Sequence, residues 1–221
     1  MKISNIIITA LAITVIASMM VLFIDAKNHQ KYKNPNIETK TFLLSDFTVV
    51  VAEKGADVHI NSSDTNSIAI EYIKNQVVKN QLYKQKNDTL FVYGGLRTFV
   101  KCSKLKAIQA NKAFWVGVIQ FKLDSLDVTI NSGRLNFIAN DSIRNEFNKL
   151  VINASDSAII YTSNISVENL VVNAKTKANC ELYGNYKHVD VKLSNNSTLF
   201  FNSNPLTIKL ERDKESNFKM Y

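Results

Sequence analysis

The sequence predicts an all-β fold: a single-stranded parallel β-helix, or β-solenoid, preceded by one N-terminal transmembrane helix. Three observations carry this. A block of short strand, polar turn and short strand recurs about every 20 residues in the C-terminal half. One uncharged apolar run occupies residues 6–24. The 221 residues include only 6 Gly and 2 Pro but 26 Asn. Asn is the turn residue that tolerates left-handed φ and bonds its own backbone. At 46% hydrophobic and 21% charged, the chain is not of disordered, collagen-like or Pro-rich type. Two Cys exclude a disulfide scaffold. The net charge is +8, a modest basic bias.

The N-terminal element is read first. Ile6 to Ile24 is interrupted only by Thr9, Thr14 and Ser18. As a helix it would rise about 28 Å, close to the ~30 Å hydrocarbon core of a bilayer. A cleaved signal peptide has a shorter apolar core of ~7–15 residues, then a small-x-small site. Neither Ser18-Met19-Met20 nor Ile24-Asp25-Ala26 fits such a site, and no Cys near the end of the run offers lipoprotein cleavage. Residues 1–24 are therefore expected to be an uncleaved anchor, with a cleaved signal as the alternative, and the membrane is the expected partner of Ile6 to Ile24. Lys27, Lys31 and Lys33 after the run outnumber Lys2 before it, which by the positive-inside count keeps the remainder cytoplasmic. An apolar segment behind a basic start is nonetheless the usual export signal. The expectation is a cell-envelope protein with its β-helix periplasmic or surface-facing. Residues 25–41 read as a polar stalk containing Pro35, and 42–221 as the β-helical domain.

Period-2 strands follow. Phe47, Val49 and Val51 alternate with Thr48 and Val50, and Ala56, Val58 and Ile60 share a face. Ile68 to Tyr72 and Thr89 to Tyr93 are further strands, while Ile73 to Leu82 reads as a short helix or an irregular loop. From Leu126 onward the repeat is explicit. Ile130, Ile152, Val172, Leu193 and Leu210 anchor successive strands, spaced 22, 20, 21 and 17 positions. One coil cannot bury its own apolar face, whereas stacked coils bury it against neighbours. Equivalent residues then stack, so Asn131, Asn153 and Asn173, continued by Ser194, are expected to form an amide ladder. An antiparallel sandwich also has frequent strands. The long fixed period and the lack of Asn-Gly or Asp-Gly hairpin turns argue against it.

Asp46 to Val51, Gly55 to Ile60, Asp64 to Ile68 and Asp88 to Tyr93 resemble the opening of the auto-transporter adhesin head domain of Bacteroidetes, the GIN domain. In that family a strand ends in a glycine turn and a short Val-containing strand opens a β-helix behind an export signal. This chain is poorer in Gly and has Gly55-Ala56 at the turn before the Val strand. The resemblance implies mainly the fold, a β-helix, and a location in the envelope; a non-catalytic binding or adhesion domain is the expected role.

No phosphate-binding glycine loop, Cys-x-x-Cys or His-Glu-x-x-His is present. No catalytic residues, metal or cofactor are expected. Asp57 and His59 alternate with apolar neighbours and are read as a solvated strand face. Asp124 and Asp127, with Lys122, offer only a weak parallel to the acidic clusters of polysaccharide-cleaving solenoids. Phe99, Phe114, Trp115 and Phe121 read as core or cap rather than as a sugar platform. The candidate binding surface is basic: Lys175, Lys177, Lys187 and Lys192 fall in neighbouring coils and would form a stripe for an anionic glycan or envelope component. Lysines that block edge-to-edge pairing are the plainer account of the same residues. Nucleic acid is not expected as a partner. A self-assembling solenoid similar to bactofilin, in which an uncapped C-terminal coil drives self-association, is the alternative. A polysaccharide-active enzyme is the weaker one. Cys102 and Cys180 are left open between a disulfide and two separate small apolar residues.

Overall fold

The computed structural model describes residues 15, 18–20, 36–74, 82–94, 96–139 and 144–221. Of the expected membrane segment, Val15 and Ser18, Met19 and Met20 are helical, and the rest lies outside the described residues. So do residues 25–35 of the expected stalk and 75–81 of the segment read as helix or loop. Among the described residues no helix is long and apolar enough to cross a membrane. Thr39–Tyr221 forms one compact unit.

That unit is a β-solenoid. Its body is β8 (Ala107–Ile119), β9 (Lys122–Ile138), β10 (Asn145–Ser155), β11 (Ile159–Lys175) and β12 (Asn179–Ser194), then β13 (Thr198–Asn202), β14 (Thr207–Arg212) and β15 (Asn217–Met220). All pairings within this body are parallel. Alternation along each strand turns every second side chain inward. The ladder then stacks like on like.

One inward column runs Ile108, Val128, Ile152, Val172, Val191, Leu210. Another runs Leu126, Leu150, Leu170, Val189, Ile208. On a second side the column is Val118, Phe137, Thr162, Leu182, Phe201, Met220. Each buried Val, Leu, Ile or Phe contributes about 1.5–3 kcal/mol, and only stacking makes that burial available. Thr162 is the polar exception. It is fully buried, sharing a 2.7 Å hydrogen bond with the Tyr186 hydroxyl and accepting one from Tyr183 N–H. Burial drives the Tyr186 hydroxyl pKa far above its ordinary value.

The coil spacing corrects the expected alignment. Val128 and Ile152 are 24 positions apart, because β9 and β10 are joined through the longer 139–144 connection. The steps from Ile152 to Val172, Val191 and Leu210 are 20, 19 and 19. Ile130 therefore stacks on Ala154, not on Ile152. The amide ladder exists but is split. Asn173 Nδ2 donates to Asn153 Oδ1 at 2.9 Å, and Asn131 Nδ2 donates to Asn111 Oδ1 at 3.4 Å. Asn131 is in register with Ser155, whose hydroxyl donates to it at 2.7 Å. Ser194 is in register with Lys175, and Lys192 follows Asn173 in the column.

The corners use fewer Asn than the composition implied. Asp156-Ser157, Thr176-Lys177 and Asn195-Asn196 occupy one corner in successive coils, all with φ between 53° and 63°. Two successive left-handed residues make a type I′ turn, which here joins strands on two sides of the coil. Ala158 N–H closes the first turn on Ser155 O at 3.0 Å. Just past the corner only a small buried side chain fits: Ala158, Ala178, Ser197 and Ser216. At another corner the buried amide of Asn145 substitutes for backbone pairing. Its Oδ1 accepts from Phe121 N–H at 3.0 Å, and its Nδ2 donates to Ile138 O at 3.0 Å.

The N-terminal end departs from this regularity. β2 (Val49–Ala52) and β3 (Asp57–Ser62) stack on β8, but their other edges are taken by β6 (Thr89–Val92) and β7 (Thr98–Cys102). β4 (Ser67–Ile73) then pairs antiparallel with β7, and β5 (Tyr83–Lys86) antiparallel with β6. β1 (Ile37–Leu43) lies outside β4. In β2 the inward residues are Val50 and Ala52, stacked on Ile108 and Ala110. The alternation read from Phe47, Val49 and Val51 is thus out by one, and Phe47 and Val51 are buried as well. Cys102 and Cys180 are separate buried thiols, each pushed up to about 12 by burial.

Candidate functional site

The outward face of the long strands carries the polar ladder, and a groove of about 210 Å³ opens along it. Asn131, Asn153, Ser155, Asn173, Lys175 and Lys192 line it. The amides are held by one another through the hydrogen bonds above, so a coil-to-coil repeat fixes their spacing. Two of the four lysines singled out from the sequence meet here. Lys192 Nζ lies 3.4 Å from Glu211 Oε2, which offsets part of its charge. Lys175 has no ion pair among the described residues.

The other two lie elsewhere. Lys177 is exposed in the left-handed corner at φ 63°. Lys187 pairs with Glu168 at 2.6 Å and lines two further depressions. One, of about 440 Å³, also holds Lys122, Asp124 and Glu146. Lys122 is 3.1 Å from Glu146, and Asp124 accepts from Asn148 Nδ2 at 2.9 Å. Asp127 stands between Ala107 and Val151 in the ladder, so no second carboxylate stacks on it. Lysine positions alone missed these partners. Each pair is one coil apart: Glu168 to Lys187 and Lys192 to Glu211 by 19 positions, Lys122 to Glu146 by 24. An acid one period from a base is the signal that would have found them.

A second cluster sits on the outward face near the N-terminal end. His59 Nε2 is 3.2 Å from Asp57 Oδ1, and its ring stacks on Phe99 at 5.3 Å. Arg97 approaches Asp57 at 4.0 Å. Asp57 and His59 do face outward, but both are half-buried. Partial burial lowers the His59 pKa, with the Asp57 charge opposing and Arg97 assisting. Gly117 lies beside His59 in the ladder, where a Cβ would meet His59 Nδ1 and Trp115 Nε1 at 3.3 Å. Arg134 covers the Trp115 ring at 5.8 Å. Of the four aromatics expected in the core or a cap, Phe121 is core, Phe99 and Trp115 belong to this outward cluster, and Phe114 is exposed. Among the described residues no group of His, Cys, Asp and Glu is arranged to hold a metal ion.

The same architecture occurs in solved structures. A "putative adhesin" from Parabacteroides merdae ATCC 43184 aligns over 85% of this chain and 97% of its own at 16% identity, with a TM-score of 0.63. A "putative adhesin" from Bacteroides fragilis NCTC 9343 aligns over 85% and 98% at 11% identity, TM-score 0.64. A "putative lipid binding protein" from Parabacteroides distasonis ATCC 8503 aligns over 85% and 95% at 12% identity, TM-score 0.58. The chain shares their fold. No family model matches the sequence, and no curated protein does.

Proposed function

We propose that this chain is a non-catalytic, membrane-anchored cell-envelope protein whose β-helix, of the GIN adhesin-head type, binds an anionic envelope glycan. The observation that carries the reading is the groove where Lys175 and Lys192 stand beside the Asn153–Asn173 ladder. Ammonium groups supply charge attraction, and spaced amides supply donors and acceptors for hydroxyl and acidic groups of a repeating polymer. The names given to the structural neighbours, adhesin and lipid-binding protein, support a binding role. Ile6 to Ile24 supplies the anchor, and the β-helix faces the periplasm or the cell exterior.

The test is binding of the full chain to immobilised lipopolysaccharide, to a neutral glucan and to phosphatidylglycerol vesicles. Binding to the lipopolysaccharide is expected to weaken with added salt. The pair Lys175→Glu and Lys192→Glu is expected to lower that affinity by about tenfold, ~1.4 kcal/mol. Equal binding to the neutral glucan, or no effect of the pair, would overturn the glycan reading. Binding to the vesicles alone would replace glycan by lipid. Protease protection in intact cells tests the compartment: digestion beyond Lys40 only after the inner membrane is broken would rule out export.

A further inference from the structure

β14 and β15, the last strands described, carry inward-facing residues that are partly exposed. Ile208 and Leu210 continue the inward columns of Val189 and Val191, yet they are 41% and 37% exposed where Val189 and Val191 are 4% and 0%. Leu206 and Met220 are exposed beside them. β14 pairs only with β12 and β15 only with β13 among the described residues, so the outer edge of each presents unpaired backbone groups. An apolar cross-section bounded by open strand edges is a template for another strand.

Three features identify the occupant as a second copy of this chain, docked tail to tail. The N-terminal end cannot be the acceptor: both edges of β2, β3, β6 and β7 are already paired, and their inward residues are buried. Among the described residues the edges remaining there are those of β1 and β5, which carry Lys40, Lys84 and Lys86 and so disfavour strand addition. That leaves a closed, isologous contact between identical ends.

The charge pattern of β14 then fits itself. Lys209 and Glu211 flank Leu210 on the outward face, with Lys209 Nζ 2.9 Å from Glu211 Oε1 within the strand. In an antiparallel pair centred on Leu210, Leu210 meets Leu210, and each Lys209 lies opposite the other chain's Glu211. Opposite charges facing across a ladder stabilise it, and like charges destabilise it. We propose that two chains associate through antiparallel pairing of their β14 strands about Leu210, extending the sheet and sealing both apolar ends.

The contact makes a geometric demand that can be read covalently. Directly opposed residues of an antiparallel pair have Cα atoms about 4.5–5.5 Å apart, within the range a disulfide spans. Leu210→Cys in the full chain, kept in mild detergent and treated with a weak oxidant, is expected to give a covalent dimer on a non-reducing gel. Thr65→Cys, exposed in the turn before β4, reports any association through the rest of the chain and is expected to stay monomeric. Cys102 and Cys180 are buried and do not compete.

Adding Lys209→Glu to Leu210→Cys puts acid against acid and is expected to cut the dimer yield severalfold. Adding Glu211→Lys as well restores opposite charges across the contact and the yield with them. The restoration occurs although, within each chain, the new acid at 209 lies beside Asp190 and the new base at 211 beside Lys192. A Leu210→Cys chain that cross-links no better than Thr65→Cys would overturn the proposal. So would a yield that ignores the charge at 209, or a charge swap that fails to rescue.

Discussion

The two ends of this solenoid solve the same problem differently. At the N-terminal end, antiparallel additions occupy the edges of the first coils, and Val50, Leu90 and Val100 are fully buried. At the C-terminal end the chain continues the parallel stack to its last described strand, and the same columns finish at Leu210 and Met220 in partial contact with solvent. A solenoid coil draws stability from both neighbours, so a coil with one neighbour is the weak one. The comparison teaches that stability here is a property of position along the stack, not of residue type.

The largest effect follows from one column. Ile152→Ala and Ile108→Ala remove fully buried side chains with neighbours above and below, and each is expected to cost about 2–5 kcal/mol. At dilutions where the chain is monomeric, Leu210→Ala, in register with them, is expected to cost less than about 1 kcal/mol, because within one chain the side chain is already part-exposed and leaves no enclosed cavity. Chemical denaturation of the three variants measures the contrast. Equal losses at 152 and 210 in the monomer would mean that the chain covers its own C-terminal end.

Next in size is Asn145→Ala. It leaves Phe121 N–H and Ile138 O without their side-chain partner at a buried corner, and is expected to cost about 1–3 kcal/mol. The open end has an exposed counterpart. Asp213 accepts from Asn195 N–H at 2.7 Å and Ser216 N–H at 2.9 Å, holding the last corner with water close by. Asp213→Ala is expected to speed hydrogen exchange at Asn195 and Ser216 while leaving the unfolding midpoint nearly unchanged. A midpoint loss as large as that of Asn145→Ala would show that the end is not energetically distinct.

Smaller still is Thr176→Asn. A β-branched residue at φ 53° is unfavourable, and Asn accepts that conformation. The change is expected to raise stability by about 0.5–1 kcal/mol, read as a higher midpoint. No gain would show that the Thr176 corner holds contacts worth more than its strain.

The coil plan was legible because it depends on side-chain periodicity, which a sequence displays directly. Register was less so. The amides of Asn131 and Asn153 look equivalent by eye, but the greater number of residues between β9 and β10 shifts them by two, and only backbone pairing reveals it. The corner residues were also hidden. Thr176-Lys177 carries no left-handed signature, and the ladder of turns above and below enforces the conformation. Lys175 and Lys192 could be singled out from the sequence, whereas their common groove depends on strand register. The closure of the N-terminal end by antiparallel pairing had no local sign, since β4 reads as an ordinary strand and Tyr83–Lys86 shows no strand pattern of its own.

Acid separates the two ends in a final and smallest contrast. His59, near the closed end, has its pKa lowered from 6.5 chiefly by burial, against the opposing charge of Asp57. As pH falls below 6.5, the unfolded chain takes up that proton before the folded one does. Stability at this end is therefore present above 6.5 and is lost as pH falls toward the lowered value. Asp213, at the open end, has its pKa lowered from 3.8 by its hydrogen bonds to Ser216 and Asn195. Its contribution is intact above 3.8 and is lost only at lower pH, as the folded carboxylate protonates. Between pH 7 and 5, hydrogen exchange corrected for its intrinsic pH dependence is expected to quicken around β3 and β7 and to hold steady around β14 and β15. His59→Gln is expected to remove the change at β3 and β7. If β14 and β15 loosened first over that range, the pH response of the chain would belong to its open end and His59 would have no part in it.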